Sequence, residues 1–214
     1  MAAITSELIK ELRERTAAGM LDCKKALTEC DGDMDASIDW LRKKGLSAAA
    51  KKSGRTATEG TITIELSADN KKATISEVNC ETDFVGQNEN FIEFCATTTA
   101  HIHTSGIKNV DELLASTING NAFSDHLSVT ISKIGENIVV RRFAEVSVGE
   151  NGSVSAYKHA NGKIGVIVAA ECDSAKTAEA VTGVLKDIAM HAAAMNPNYL
   201  DETEVPQEDL DREA

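Results

Sequence analysis

At 214 residues and 42% hydrophobic composition, the chain can bury a real core, either as one large domain with a small module or as two compact domains. Its net charge of −12 opposes close approach to a phosphate backbone, so direct nucleic-acid binding is not expected. The sequence has no run of eighteen apolar residues and no signal-type start, which points to a cytoplasmic protein without a membrane partner.

Positive charge gathers before residue 56 (Lys24, Lys25, Lys43, Lys44, Lys51, Lys52, Arg55), whereas the last fifteen residues are acidic. A basic N-terminal module of this kind could meet an acidic protein. Its helical spacing comes from Ile4, Leu8, Leu12 and then Met20, Ala26, Leu27, with Gly19 and Gly32 punctuating two short helices. A third helix is expected over residues 33–44, capped by Asp33, with Ile38 and Leu41 inward and Gly45 as its stop. Residues 46–60 lose the apolar period and collect Ala, Lys, Ser and Gly, as a partly helical linker does, with a boundary near Gly54.

From Thr61 the period changes to two. TITIEL and KATISEVN, around Asp69 and Asn70, describe an antiparallel hairpin, and a threonine-rich helix follows over roughly Asn90 to His103. Residues 109–134 read as two shorter helices, and IVVRRFAEVSV reads as a strand. SVSAYKHA and KIGVIVAAEC flank Asn161-Gly162, a tight-hairpin dipeptide, and residues 176–194 form a long helix stopped by Pro197. Aligning the turn asparagines Asn70 and Asn161 brings Cys80 opposite Cys172 after one gap, so hairpin plus helix reads as a unit used twice. The expected class is α+β, with helices on antiparallel sheets.

The chain carries little that could perform covalent chemistry. It has no GxSxG, HExxH or GxxxxGK[ST] segment. Its five cysteines form no CxxC pair and read as reduced, mostly buried thiols rather than disulfide or zinc ligands. His101 and His103 are two apart, the wrong helical spacing for joint ligation, and His191 in its apolar helix reads as packed. No metal and no cofactor is expected. The unusual segment is Asn79-Cys80-Glu81-Thr82-Asp83-Phe84-Val85, which ends an apolar strand in acids and then places a phenyl ring before a helix. Residue chemistry alone leaves open whether Phe84 is core or is offered to a partner.

NCETDFV resembles the signature segment of the elongation factor Ts family, and four other blocks keep the family's order: ELRERTAAGMLDCKKAL (Glu11–Leu27), KIGENIVVRR (Lys133–Arg142), YKHANGKIGVIV (Tyr157–Val168) and MHAAAMNPNYL (Met190–Leu200). The resemblance implies a three-helix ubiquitin-associated-like module (1–45), a linker (46–60), core subdomain N (61–148), a partial core subdomain C (149–200) and an acidic start of a helical hairpin (201–214). It implies a guanine-nucleotide exchange factor without covalent chemistry, whose partner is the GTPase elongation factor Tu. In that picture Asp83 and Phe84, flanked by Thr82 and Val85, reach the magnesium side of the nucleotide site, with Phe84 wedged between helices. Met20, Leu21 and Lys24 meet the base side, while Ile134, Gly135 and His159 form further contacts.

The rival reading is a binding adaptor that holds its partner without exchanging nucleotide, and a thiol enzyme built on Cys80 and His159 is a distant third. Long family members continue past MNPNYL, so strands of the second subdomain are expected to be missing here. An open sheet edge of that kind could be covered by self-association, which keeps a homodimer among the expectations.

Overall fold

The computed structural model describes residues 3–16, 18–199 and 201–213. Ala17, Leu200, Ala214 and the first two residues, which fall within the expected 1–45, 149–200 and 201–214 segments, lie outside them. The described residues form two compact units, 1–65 with 74–145, and 66–73 with 146–214. Both combine helices with β-structure, as the α+β expectation requires.

The first unit begins with α1 (Ser6–Thr16), α2 (Met20–Glu29) and α3 (Met34–Lys52). Their spacing brings Leu12, Cys23, Ala26, Leu27 and Leu41 into one small apolar cluster. The Asp33 side chain accepts from the Ala36 N–H at 2.8 Å, the expected N-cap of α3. Met20 lies outside the cluster and is 61% exposed, because α2 starts at that residue and turns it away from Cys23 and Leu27. One expectation fails here. Gly45 does not end α3, which runs on to Lys52 through the first part of the expected linker. The reason is tertiary. Gly45 is buried against the backbone of Ser128 and Val129, where even a Cβ would make only ordinary contact at 3.6 Å, so packing holds within the helix a residue unfavourable in a helix interior.

Those two residues belong to α7 (Phe123–Ile134), which follows β1 (Glu59–Leu66), β2 (Lys72–Cys80), α4 (Asp83–Gly86), α5 (Glu89–Ser105), α6 (Val110–Ala115) and the two-residue strands β3 (Thr117–Ile118) and β4 (Asn121–Ala122). β5 (Val139–Ser147) joins β1 and β2 in a three-stranded sheet of order β1-β2-β5, and β3 pairs with β4 antiparallel. Val78, Phe91, Phe94, Phe123, Ile131 and Val140 are among the residues that bury the core between sheet and helices. α5 crosses β2 with polar threads inside this packing. The Ser76 and Thr99 hydroxyls meet at 2.6 Å, and Thr74 Oγ1 meets His103 Nδ1 at 2.9 Å. The Arg42 guanidinium lies 3.7 Å from Asp125, tying α3 to α7 electrostatically.

The second unit holds the tip of the first hairpin together with β6 (Gly152–Lys158), β7 (Gly165–Glu171), α8 (Ala175–Met195), a 3-10 turn (Glu202–Glu204) and α9 (Gln207–Glu213). β6 and β7 are antiparallel from Gly152↔Glu171 to Lys158↔Gly165. The last pair leaves residues 159–164 as the loop, so Asn161-Gly162 does not form a two-residue turn. Gly162 donates to the His159 carbonyl at 2.9 Å with its own φ at +72°, and His159 N–H reaches Ile164 O at 2.9 Å. The left-handed residue is therefore the fourth of a turn, with Asn161 one step earlier. Ser174 caps α8 through the Thr177 N–H at 3.2 Å, and Asn196 ends it with left-handed φ of 47°, one residue before Pro197. His191 is exposed on α8 rather than packed, because Leu185 and Ala189 supply the buried face. At the hairpin tip, Lys71 Nζ donates to Glu150 O at 2.8 Å and Val154 N–H donates to Asn70 O at 2.7 Å.

Candidate partner-binding surface

Five phenylalanines compete for the core, and four take part in it: Phe91, Phe94 and Phe123 are buried, and Phe143 is half-buried against them. Phe84 is 84% exposed. Single exposed apolar side chains are ordinary on a folded protein, but the outward aim of this ring has a local cause.

That cause is the turn after β2. Thr82 caps α4, its hydroxyl accepting from the Val85 N–H at 3.3 Å, and Asp83 Oδ1 accepts from the Phe84 N–H at 3.0 Å. Gly86 N–H then closes on Thr82 O at 3.2 Å, and Asn88 starts α5 by accepting from Asn90 N–H at 3.0 Å. Val85, one residue on, points back into the core. A capped single turn between two anchored elements therefore projects Phe84 outward while its neighbour is held inside.

The turn is tied to a distant piece of chain. Glu136 Oε2 accepts from the N–H groups of Glu81 and Thr82 at 3.0 Å each, and its Oε1 accepts from the Thr82 hydroxyl at 2.6 Å. In return Glu81 Oε1 accepts from the Asn137 N–H at 2.6 Å and lies 3.4 Å from Arg55 Nη1. Residues 134–137 and 81–84 thus form one corner of the unit. Ile134 and Gly135, predicted as a separate contact, directly precede Glu136 and Asn137, the residues bonded to Glu81 and Thr82. Ile134 is half-buried in the core, and Gly135 is exposed with the left-handed φ of 91° that ends α7. Beneath the turn, β1 passes at Gly60 with φ of +143°, where a Cβ would fall 2.1 Å from Val78 O. Gly86 sits against the Gly60 backbone.

Met20 and Leu21 form a second exposed apolar spot, 61% and 82% exposed at the start of α2, with Lys24 exposed one turn later. The fold provides the pair with no cover because α2 buries Cys23, Ala26 and Leu27 instead. His159 lies in the second unit, exposed in the β6–β7 loop, with Nδ1 2.9 Å from the Tyr157 hydroxyl.

Covalent chemistry finds little support among these side chains. Cys80 is fully buried, and burial first, then the Glu136 and Glu59 carboxylates, push its thiol up to about 11. A thiol so disposed is a poor nucleophile at neutral pH. His101 and His103 are engaged separately, His101 Nε2 with Ser116 Oγ at 2.9 Å and His103 with Thr74, and burial lowers the His101 pKa. All five cysteines are free thiols. Among the described residues no group of three or more His, Cys, Asp or Glu side chains could hold a metal, and no helix is long and apolar enough to cross a membrane.

Reasoning from sequence missed Glu136, Glu81 and Arg55. The signal available was weak, a lone acid within KIGEN and another within NCETD, and nothing in either segment announces the other.

The profile of the family described as Elongation factor TS matches residues 81–214. Proteins named Elongation factor Ts align along nearly all of the chain: one from a Nitratiruptor species is 53% identical over 211 residues, covering 99% of this chain and 69% of the relative. One from Nautilia profundicola is 50% identical over 213 residues, covering 100% and 69%. A third, from Campylobacter concisus, is 48% identical over 210 residues, covering 98% of this chain and 59% of its own length. The profile spans more than half of the chain and the alignments with the relatives run along nearly all of it, so the chain belongs to the elongation factor Ts family of translation elongation factors.

Proposed function

We propose that this chain promotes release of GDP from elongation factor Tu and is displaced when GTP enters, with Phe84 as its principal lever. The observation that carries this reading is the exposed Phe84 ring on a turn held by the Thr82, Asp83 and Glu136 hydrogen bonds. A rigidly presented apolar ring gains free energy only when it enters a pocket. If that pocket opens as the phosphate and magnesium ligands move apart, the ring's burial favours the state in which nucleotide leaves. Asp83, beside the ring, is an exposed acid suited to compete for groups that serve the phosphates. Thr82 and Val85 hold the turn, Ile134 and Gly135 extend the same corner, and Met20, Leu21 and Lys24 offer an apolar spot with one positive charge for a second grip. His159 serves as a third contact from the other unit.

We read the chain accordingly as a helical module (1–45) joined through 46–60 to two core subdomains (61–148 and 149–200), with 201–214 beginning a further helical segment. Coupling between factor and nucleotide is reciprocal: whatever weakening the factor imposes on GDP, nucleotide imposes on the factor, and this allows the factor to recycle.

The test is stopped-flow release of fluorescent GDP from elongation factor Tu with and without the chain. Acceleration that saturates with factor concentration is expected. Binding detected by calorimetry with an unchanged release rate would replace exchange by the adaptor reading.

A further inference from the structure

We infer that Glu136 is a positioning residue for Phe84, fixing through the Thr82 turn the direction in which the ring is presented. The inference rests on the exchange reading above and deepens it. α4 has only four residues, too few to hold a helical turn by its own hydrogen bonds. The N–H groups of Glu81 and Thr82, just past the end of β2, take the Glu136 carboxylate as their partner. That carboxylate also orients the Thr82 hydroxyl, whose lone pair caps Val85 N–H. One side chain therefore sets the exit angle of the backbone, the cap of the turn and hence the aim of the ring.

Both Glu136 oxygens are committed inward, to groups of the same unit. The interlock is reciprocal, since Glu81 holds the Asn137 N–H and Asn137 Nδ2 donates to Arg55 O at 2.8 Å. As a result the Gly135 corner and the Phe84 turn behave as one body, although Glu136 and Thr82 stand 54 residues apart.

A double-mutant cycle tests this with the full chain and elongation factor Tu carrying fluorescent GDP. E136A is expected to lower the maximal release rate roughly tenfold, the order seen for coupled members of one hydrogen-bond network, and to add nothing in an F84A background. E136Q, whose amide oxygen can still accept both N–H groups although its NH2 cannot accept from the Thr82 hydroxyl, is expected to lose clearly less than E136A, about threefold or under. Backbone amide exchange at Glu81 and Thr82 should quicken in E136A and not in E136Q. Equal losses from E136A with and without Phe84, or a loss in E136Q as large as in E136A with amide exchange at Glu81 and Thr82 unchanged in E136Q, would overturn the positioning role. Should E136A fail to fold, E136D takes its place, because one methylene less cannot reach the turn; parental rates in E136D would then count against the proposal. F84A exchanging at the parental rate sinks Phe84 as the lever, and an unsubstituted chain that binds without accelerating release sinks the exchange reading itself; each is seen separately from any failure at Glu136.

Discussion

Replacing Phe84 by Ala isolates the lever. In the free protein the ring is 84% exposed, so its removal should change folding stability by less than about 0.5 kcal/mol. The turn survives, because the bonds that shape it use the Phe84 N–H, the Thr82 hydroxyl and the Glu136 carboxylate, none of which the substitution removes. What is lost is burial of the phenyl group in the partner, worth about 2–3 kcal/mol. At about 1.4 kcal/mol per tenfold, the rate should fall by roughly one and a half to two decades. A stopped-flow series over factor concentration separates the two ways in which this can appear. A ring engaged only as nucleotide leaves lowers the maximal rate, whereas a ring that serves simple attachment raises the half-saturating concentration and leaves the maximum unchanged. A loss below threefold at every concentration, in a variant with the parental melting temperature, would refute the lever.

Gly60→Ala should be among the most damaging single substitutions, since its Cβ would lie 2.1 Å from Val78 O at a φ of +143°. A cost of at least about 3 kcal/mol is expected, seen as a melting temperature lower by roughly 6–12 °C, and a drop under about 2 °C would contradict the steric argument. Cys80 should resist alkylation: with its thiol pushed up to about 11, roughly one molecule in three thousand is thiolate at about pH 7.5, and reactivity should rise tenfold per pH unit until the thiol titrates. Mass spectrometry after iodoacetamide treatment should find the half-buried Cys30 and Cys172 modified first, with GDP release intact; Cys80 labelling at their rate would contradict its burial. The same raised value has a linkage sign. Stability from keeping Cys80 neutral is fully present below the unfolded thiol pKa and is lost as pH rises from there to about 11.

Much of this was legible in the chain itself. Leu12, Ala26, Leu27 and Leu41 announce a small helical cluster by spacing alone, Asp33 and Ser174 sit where helices must find a cap, and the period of two in TITIEL and KATISEVN announces two strands. These features depend on neighbours a few residues away, and local sequence contains those neighbours. The NCETDFV and KIGEN segments were likewise visible as motifs, and so was the family. The exposure of Phe84 was not, because whether a ring is buried depends on what packs over it, and only the folded unit, with Phe91, Phe94 and Phe123 already filling the core, leaves Phe84 outside. Gly45 read as a helix stop because its role is set by α7, more than eighty residues further on. Asn161-Gly162 read as a two-residue turn because strand register, not the dipeptide, decided where the pairing ends. Glu136 gave only a weak signal, an acid within KIGEN: a carboxylate that organises a turn 54 residues away acts through a contact created by folding, and no local pattern encodes such a contact.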